Sequence, residues 1–451
     1  MTLNFKESCL TLVGIIAIIV AGLFVIGMPI VVVLIFEAVF VGVVALAKGI
    51  SYSEVQQAMI GTVNSFVTPI LMLLLIGGLV ASWIIGGTVP TLIYIGLKII
   101  DVRFFLVITF LMCSLMSMLI GTSWGVMSTL GVAFLGISNG LDLDPAITMS
   151  AVAAGAMLGD KLSPVSGSMI MATELTGVTV GDGIKTTVIT NVPAIIVSIG
   201  LYIYLGLAGA PAEGMQAADT QALMEGLAAE FNLGFLPLLA PIMLIALMVF
   251  KVPSIPTFAL GIMAGVLESI LVQGCTLSEV ANGIMTGYNM AENQMVNELL
   301  HYGGINSMGS TMIMLLFAAC FSGIVKRLGI IACLLEKVFE KAKSFGQVIA
   351  AATAIHTACF VVTGNYYTTN SILAPAFNDV FDEHKIERRH VTAILLTAGT
   401  GLTPIVPWCA TGIFIASTFG IANTAYTLFA PILWLPVLTQ PLMALVAKKV
   451  K

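Results

Sequence analysis

Residues 159–169 read GDKLSPVSGSM. An Asp, a Lys, a Pro and three Ser stand here inside a chain that is otherwise almost continuously apolar. Of its 451 residues 59% are hydrophobic and 9% charged, and mean hydropathy is +1.07. Soluble domains carry about 25% charged residues, so lipid, not water, covers most of this surface. A polar cluster in that setting is either a loop that reaches water or a costly intramembrane site, and the choice decides the fold.

Apolar runs long enough to cross a bilayer recur at Leu10–Met28, Pro29–Ala47, Thr187–Leu207, Phe235–Phe250 with its flanks, and Tyr426–Val446. They are continuous, without the alternation of a membrane β-barrel. The expected class is an all-α polytopic membrane protein. The first apolar run shows no small-residue cleavage site after Met28 and reads as a retained span. Seven scattered Cys with no CxxC spacing read as small packing residues. No Walker A, GxSxG or HExxH motif occurs, so neither an enzyme nor an ATP-driven pump is expected. No cofactor and no nucleic acid are implied.

Basic residues set an orientation. Between Lys185 and Lys326 the only cation is Lys251, and segments 209–233 and 274–300 carry Glu without Lys or Arg. The positive-inside rule puts both outside. Lys185, Lys251, Lys326–Arg327, Lys337, Lys341, Lys343, Lys385, Arg388, Arg389 and the terminal KKVK then fall inside, which makes the C-terminus cytoplasmic. The expected organisation is N-terminal spans 1–52, a first repeat 53–207, an external linker 208–233, connecting spans with an external segment 234–300, and a second repeat 301–447.

Two pairs of interruptions suggest the repeat. In the first half GTSWG (121–125) breaks an apolar run after Phe104–Ile120, and GDKLSP (159–164) breaks another 38 residues on. In the second half GNYYTTN (364–370) follows Val348–Thr363, and GTGLTP (399–404) comes 35 residues on. The second members align as Gly-x-x-Leu-Ser/Thr-Pro. The breaks are set at 121–125, 159–168, 364–370 and 399–408, with Gly121, Gly159, Pro164, Gly364, Gly399 and Pro404 as breakers. Gly and Pro free backbone groups that hydrocarbon tolerates only where protein buries them or a wet cavity takes them. Matched broken or re-entrant helices in two halves mark a midplane site at the repeat interface, and inverted halves are the expected arrangement.

Within this frame Asp160 is the leading ion-coupling residue and Na+ ligand: a carboxylate that takes Na+ or H+ in turn suffices for antiport. Its alternatives are pairing with Lys161 or helix capping. Glu174 and Glu37 are further ion or proton candidates, because ionisable groups inside spans are functional hypotheses by default; Glu268 has a weaker claim. Thr122, Ser123, Ser163, Ser166, Asn365, Thr368, Thr369, Asn370, Thr400 and Thr403 bring neutral oxygens to the breaks, which suits a small hard cation. Trp124, Tyr366, Tyr367 and Trp408 either shape a substrate pocket or pack in the core. His356 reads first as a hydrogen-bonded structural residue, and Asp142 and Asp144 as a turn and helix start.

GTSWGVMSTLGVAFLGI with GAMLGDKLSPVS, and GTGLTPIVPWCATGIFIASTFGI (399–421), resemble the signature regions of the NhaC-type Na+/H+ antiporters. The resemblance spans most of the chain. It implies a bacterial inner-membrane secondary transporter with inverted repeats, associated with Na+/H+ exchange, sodium–lactate/malate–proton exchange or amino-acid transport. Two departures stand out. Gly167, Ser168 and Met169 follow Ser166 where the family continues Asp-Thr-Thr, and the second-half run is Gly364, Asn365, Tyr366, Tyr367 where an Asp is usual. The reading is Na+/H+ antiport by alternating access with Na+ and/or H+ as coupling ions. The departures argue for the alternative, a Na+- or H+-coupled transporter of an amino acid or carboxylate; a passive channel is the remote one. Expected partners are the bilayer, a small ion or organic substrate, and a second copy of the chain as a homodimer.

Overall fold

The computed structural model describes residues 3–99, 101–208, 216–250, 252–300, 303–330, 339, 342 and 344–446. Lys251, Lys337, Lys341, Lys343, the terminal KKVK and part of the 208–233 linker lie outside them. The described residues form helices joined by short turns, with no strand among them. Seven helices are long and apolar enough to cross a membrane, eight if the bent pair Ala410–Phe419 and Asn423–Phe429 counts as one span. The first apolar run is a helix from Phe5 that ends as a π-helix at Ile26, closed by Gly27 at φ 73°. The 426–446 run is not one span: a 3-10 turn at Thr427–Phe429 interrupts it, and the helix starts at Pro431, a residue whose fixed φ suits a first turn.

A single register relates the two halves. Val102–Ile120 and Phe345–Thr363 are both 19 residues long, and Phe345 follows Val102 by 243 residues. At the same 243-residue offset stand left-handed Gly121 (φ 81°) and Gly364 (φ 62°), and then Gly177 (φ 67°) and Gly420 (φ 69°). The N-caps Thr122 and Asn365 keep the offset, as do the ten-residue helices Gly167–Thr176 and Ala410–Phe419. The helices Tyr52–Ile85 and Gly309–Leu328 end in it too.

This register corrects the motif alignment. It pairs Asp160 with Thr403 and Pro164 with Pro407, three residues away from the Gly159–Gly399 match. The cause is that neither glycine breaks its helix. Gly159, Asp160 and Lys161 are helical, in Pro145–Leu162, and the break is Ser163–Ser166. Gly159 is needed for close approach instead, since a Cβ there would come within 2.2 Å of the Ser114 carbonyl oxygen. Gly399 ends a π-turn, Leu395–Gly399, and the second break follows Leu402.

Each unit is a hairpin beside a broken helix. Phe105–Ile120 runs parallel to Pro145–Leu162: a Cβ on Gly155 would meet Phe110 and one on Gly159 would meet Ser114, while Ser117 Oγ donates to the Ala156 carbonyl at 2.6 Å. After the turn at Gly121, Ser123–Gly140 runs back antiparallel, with Ser123 bonded to Asp160 and Ser138 to Thr148. The hairpin tip therefore lies level with the break. The equivalent helices Tyr52–Ile85 and Gly309–Leu328 run in opposite directions: Ala58 lies against Gly323, and Gly77 against Gly304, just ahead of the second helix.

Candidate functional site

Both hairpin tips and residues flanking both breaks line one cavity of about 1450 Å3. Four helices begin at its wall. Thr122 Oγ1 accepts from the Gly125 N–H (3.4 Å), Ser166 Oγ from Met169 N–H (3.1 Å) and Asn365 Oδ1 from Thr368 N–H (3.1 Å). The fourth helix, from Ala410, has Cys409 at its N-cap and no side-chain cap. Short polar residues at these positions are what N-caps require, so the polar residues that look anomalous in the sequence are partly explained by helix starts. The partial positive charge of helix N-termini favours a negative group among them.

Asp160 is that group. It is the one carboxylate among the residues lining the cavity, and it is buried. Its Oδ2 accepts from Ser123 Oγ at 3.0 Å and its Oδ1 from Ser168 Oγ at 3.2 Å. Ser168 is also within 3.1 Å of Ser166 Oγ. Hydrogen bonds from two hydroxyls compensate part of the cost of burying a carboxylate. They leave lone pairs for a cation or a proton. Gly167 lines the cavity beside it, and a Cβ there would meet nothing within 4 Å, so the space next to Asp160 is open.

Lys161 does not pair with Asp160. Successive helical side chains point about 100° apart, and Lys161 turns away from the cavity into the interface between the units. It is fully buried. Nζ donates to Asn191 Oδ1 at 3.1 Å and to the Ile432 carbonyl at 3.3 Å. Among the described residues no carboxylate lies within ion-pair distance of it. A buried cation held only by neutral acceptors is expensive, and nothing in the sequence alone assigns it a role.

Of the residues singled out in the sequence, Gly121, Thr122, Ser123, Trp124 and Asp160 line the cavity from the first unit. Gly364, Asn365, Tyr366, Thr400 and Thr403 do so from the second. Ser163, Ser166 and Trp408 do not: Ser163 Oγ accepts from Val165 N–H, Ser166 caps, and Trp408 Nε1 donates to the Val361 carbonyl at 2.6 Å, against Gly364. Gly159, Pro164, Gly399 and Pro404 also stand outside the lining. Glu37 is buried with Oε1 unpartnered, but it sits on Ile30–Ala47 and does not reach the cavity. Glu174 is exposed, near the end of Gly167–Thr176, also away from it. Glu268 ties three segments together by accepting from the Ala240 N–H (2.8 Å) and meeting Thr88 Oγ1 (2.9 Å).

The cavity has a polar mouth and an aromatic floor. Gln57 and Lys326 are exposed and line the mouth, where Arg327 is held by Glu54 at 2.6 Å. Trp124 stacks on Phe414 with ring centroids 5.1 Å apart, and its Nε1 donates to Thr411 Oγ1 at 3.0 Å. That contact joins the first hairpin tip to the second broken helix. Ser168 and Thr411 occupy equivalent positions in the register and line the cavity; the sequence marks Ser168 only as a departure from the family pattern, and Thr411 not at all.

Comparison with known proteins bears on this site. The model of the Na+/H+ antiporter family matches residues 5–210 and 174–446. The chain is 32% identical over 425 residues to the Na(+)/H(+) antiporter NhaC of Alkalihalophilus pseudofirmus, covering 93% of this chain and 90% of that one. It is 29% identical to the Malate-2H(+)/Na(+)-lactate antiporter of Bacillus subtilis over 86% of this chain and 82% of that one. It is 25% identical to the Arginine/ornithine antiporter ArcD of Halobacterium salinarum, over 94% of this chain and 88% of that one.

Proposed function

The chain belongs to the Na+/H+ antiporter family, and on that premise we propose that it exchanges Na+ for H+ by alternating access, with Asp160 as the shared ligand. The observation that carries the reading is the position of Asp160: the one carboxylate on the cavity wall, buried, at the meeting point of a hairpin tip and a helix break. Na+ and H+ cannot occupy the same oxygens together, so each leaves when the other binds. Ser123 and Ser168 hold the carboxylate in place in either state.

The antiparallel equivalents support two units inverted in the bilayer of the inner membrane. With Lys326 and Arg327 inside, the mouth faces the cytoplasm. The 208–233 segment lies outside and the C-terminus inside. The Trp124–Phe414 stack then closes the outer side. Alternating access exchanges that closure for one across the mouth.

A second reading, coupled movement of an amino acid or carboxylate, draws on the cavity itself. About 1450 Å3 far exceeds a bare cation, Gly167 leaves room beside Asp160, and Tyr366 and Tyr367 are available for contact with an organic body.

Proteoliposomes separate the two readings. A Na+ gradient should drive a change in internal pH, and Asp160→Asn should abolish it while the protein remains monodisperse. Counterflow of labelled malate, lactate, arginine or ornithine without Na+-driven proton movement would favour the second reading. Full exchange by Asp160→Asn would remove Asp160 from the mechanism.

A further inference from the structure

The second unit contains a polar cluster that the first lacks. His356, Asn370 and Thr397 are fully buried and Thr400 is 2% exposed. His356 Nε2 lies 2.8 Å from Asn370 Oδ1. Gly399 packs against both residues: a Cβ there would come within 2.9 Å of the His356 ring and 3.0 Å of that oxygen. Four polar atoms of this group have no hydrogen-bond partner among the described residues: His356 Nδ1, Asn370 Nδ2, Thr397 Oγ1 and Thr400 Oγ1. Buried polar groups left unpaired cost roughly 1–3 kcal/mol each, so four on these adjoining segments call for an occupant.

The register makes the contrast sharp. The positions equivalent to His356, Asn370, Thr397 and Thr400 are Cys113, Met127, Ala154 and Met157. An ordinary packed core therefore satisfies this location in one unit. The backbone differs as well. Pro145–Leu162 is regular α-helix through its whole length, whereas its counterpart changes to a π-turn at Leu395–Gly399 and a 3-10 turn at Thr400–Leu402. Such changes interrupt the i→i−4 ladder and release carbonyl oxygens.

We propose that this turn, together with Asn370, Thr397 and Thr400, forms a second Na+ site without a carboxylate, opening to the main cavity at Thr400. Hydroxyl, amide and backbone oxygens are the ligands a hard cation takes. Turning the Asn370 amide by 180°, an assignment that its partners set, lets its nitrogen donate to Nε2 of neutral His356 and presents its carbonyl oxygen to the ion, so His356 acts as the positioning residue for that ligand. Thr400 lines the cavity while the other three do not, which gives the ion a single way in. The site rests on the Na+-coupled reading above, and it differs from Asp160 in holding Na+ without exchanging a proton.

The test is Na+-dependent thermal stabilisation of the purified full-length protein at pH 8, with choline as the control cation, beside Na+-driven proton flux in liposomes. Asp160→Asn is expected to lose flux yet keep a saturable Na+ response. Thr397→Val with Thr400→Val, which removes only the hydroxyls, is expected to raise the Na+ concentration for half-maximal stabilisation at least tenfold; Thr400→Ser is expected to retain it. Asn370→Asp, which puts a charge on a ligand, is expected to lower that concentration by a similar factor, and it keeps the test open if the valine pair fails to fold. A wild-type response left unchanged by the valine pair or by Asn370→Asp overturns the second site and leaves the antiport reading standing. So does an Asp160→Asn protein with no Na+ response. A wild type with neither Na+ stabilisation nor Na+-driven flux overturns the antiport reading, and the second site with it.

Discussion

The two units share a register and divide the chemistry. The first holds the charges, with Asp160 on the cavity wall and Lys161 buried behind it; the register puts Thr403 and Pro404 in their places. The second holds neutral polar groups, His356, Asn370, Thr397 and Thr400, where the first has Cys113, Met127, Ala154 and Met157. Their packing differs in the same sense. Gly155 and Gly159 let the first broken helix touch the Phe105–Ile120 backbone, while the second unit has Ala398 and Leu402 there and a π-turn in the helix. A tightly packed, regular unit holds the carboxylate, and the other is irregular where its buried polar groups lie. On the proposed reading, a common fold supports two kinds of ion contact in one cavity.

The harshest way to break this comparison is to move the carboxylate. Asp160→Thr combined with Thr403→Asp keeps the cavity charge and changes its unit. At position 403 the residues equivalent to Ser123 and Ser168 are Tyr366 and Thr411, and Thr411 is already engaged by Trp124. Exchange in everted vesicles should fall at least 100-fold, as far as in Asp160→Thr alone. Recovery of rate in the double variant would mean the units are interchangeable and the charge alone matters.

Lys161 is the next lever. It sits one residue from Asp160, and two charges on the order of 8 Å apart at an effective dielectric near 20 interact by about 2 kcal/mol. When protonated, it disfavours a cation at Asp160. Lys161→Gln should therefore tighten the apparent Na+ affinity, by about tenfold once relaxation has absorbed part of that energy, with maximal exchange rate changed less. An unchanged half-saturating Na+ concentration in the flux assay would show that Lys161 serves only the packing between Asn191 and Ile432.

How far the sequence reveals this comparison depends on the kind of signal. Gly121, Gly364 and the polar residues after them are readable because a Gly followed by a capping residue has little place inside an apolar run unless a helix stops and restarts there. Asp160 is readable because a carboxylate in such a run is costly. The pairing of the breaks comes out three residues wrong, since Gly159 and Gly399 resemble helix breakers yet serve close packing and a π-turn within their helices. Lys161 reads in the sequence as a possible partner of Asp160, but neighbours in sequence are not neighbours around a helix, and it turns to Asn191 and Ile432 instead. His356, Asn370 and Thr400 each have a bland local reading. Only the register, which sets them beside Cys113, Met127 and Met157, turns them into a group.

The mildest prediction concerns Thr403, the counterpart of Asp160. Its hydroxyl donates to the Thr400 carbonyl at 2.8 Å, an ordinary local bond of the kind that Ser and Thr make in helices. Thr403→Val removes that bond and one cavity hydroxyl while keeping the shape. If the ion contacts are divided as described, exchange should change by no more than about twofold and thermal stability by about 1 kcal/mol, the worth of one such hydrogen bond. A loss of exchange comparable to Asp160→Asn would place Thr403 in direct contact with the transported ion. The symmetric positions would then share one site across the interface, and the separation between a charged unit and a neutral unit would fail at the point where the two meet.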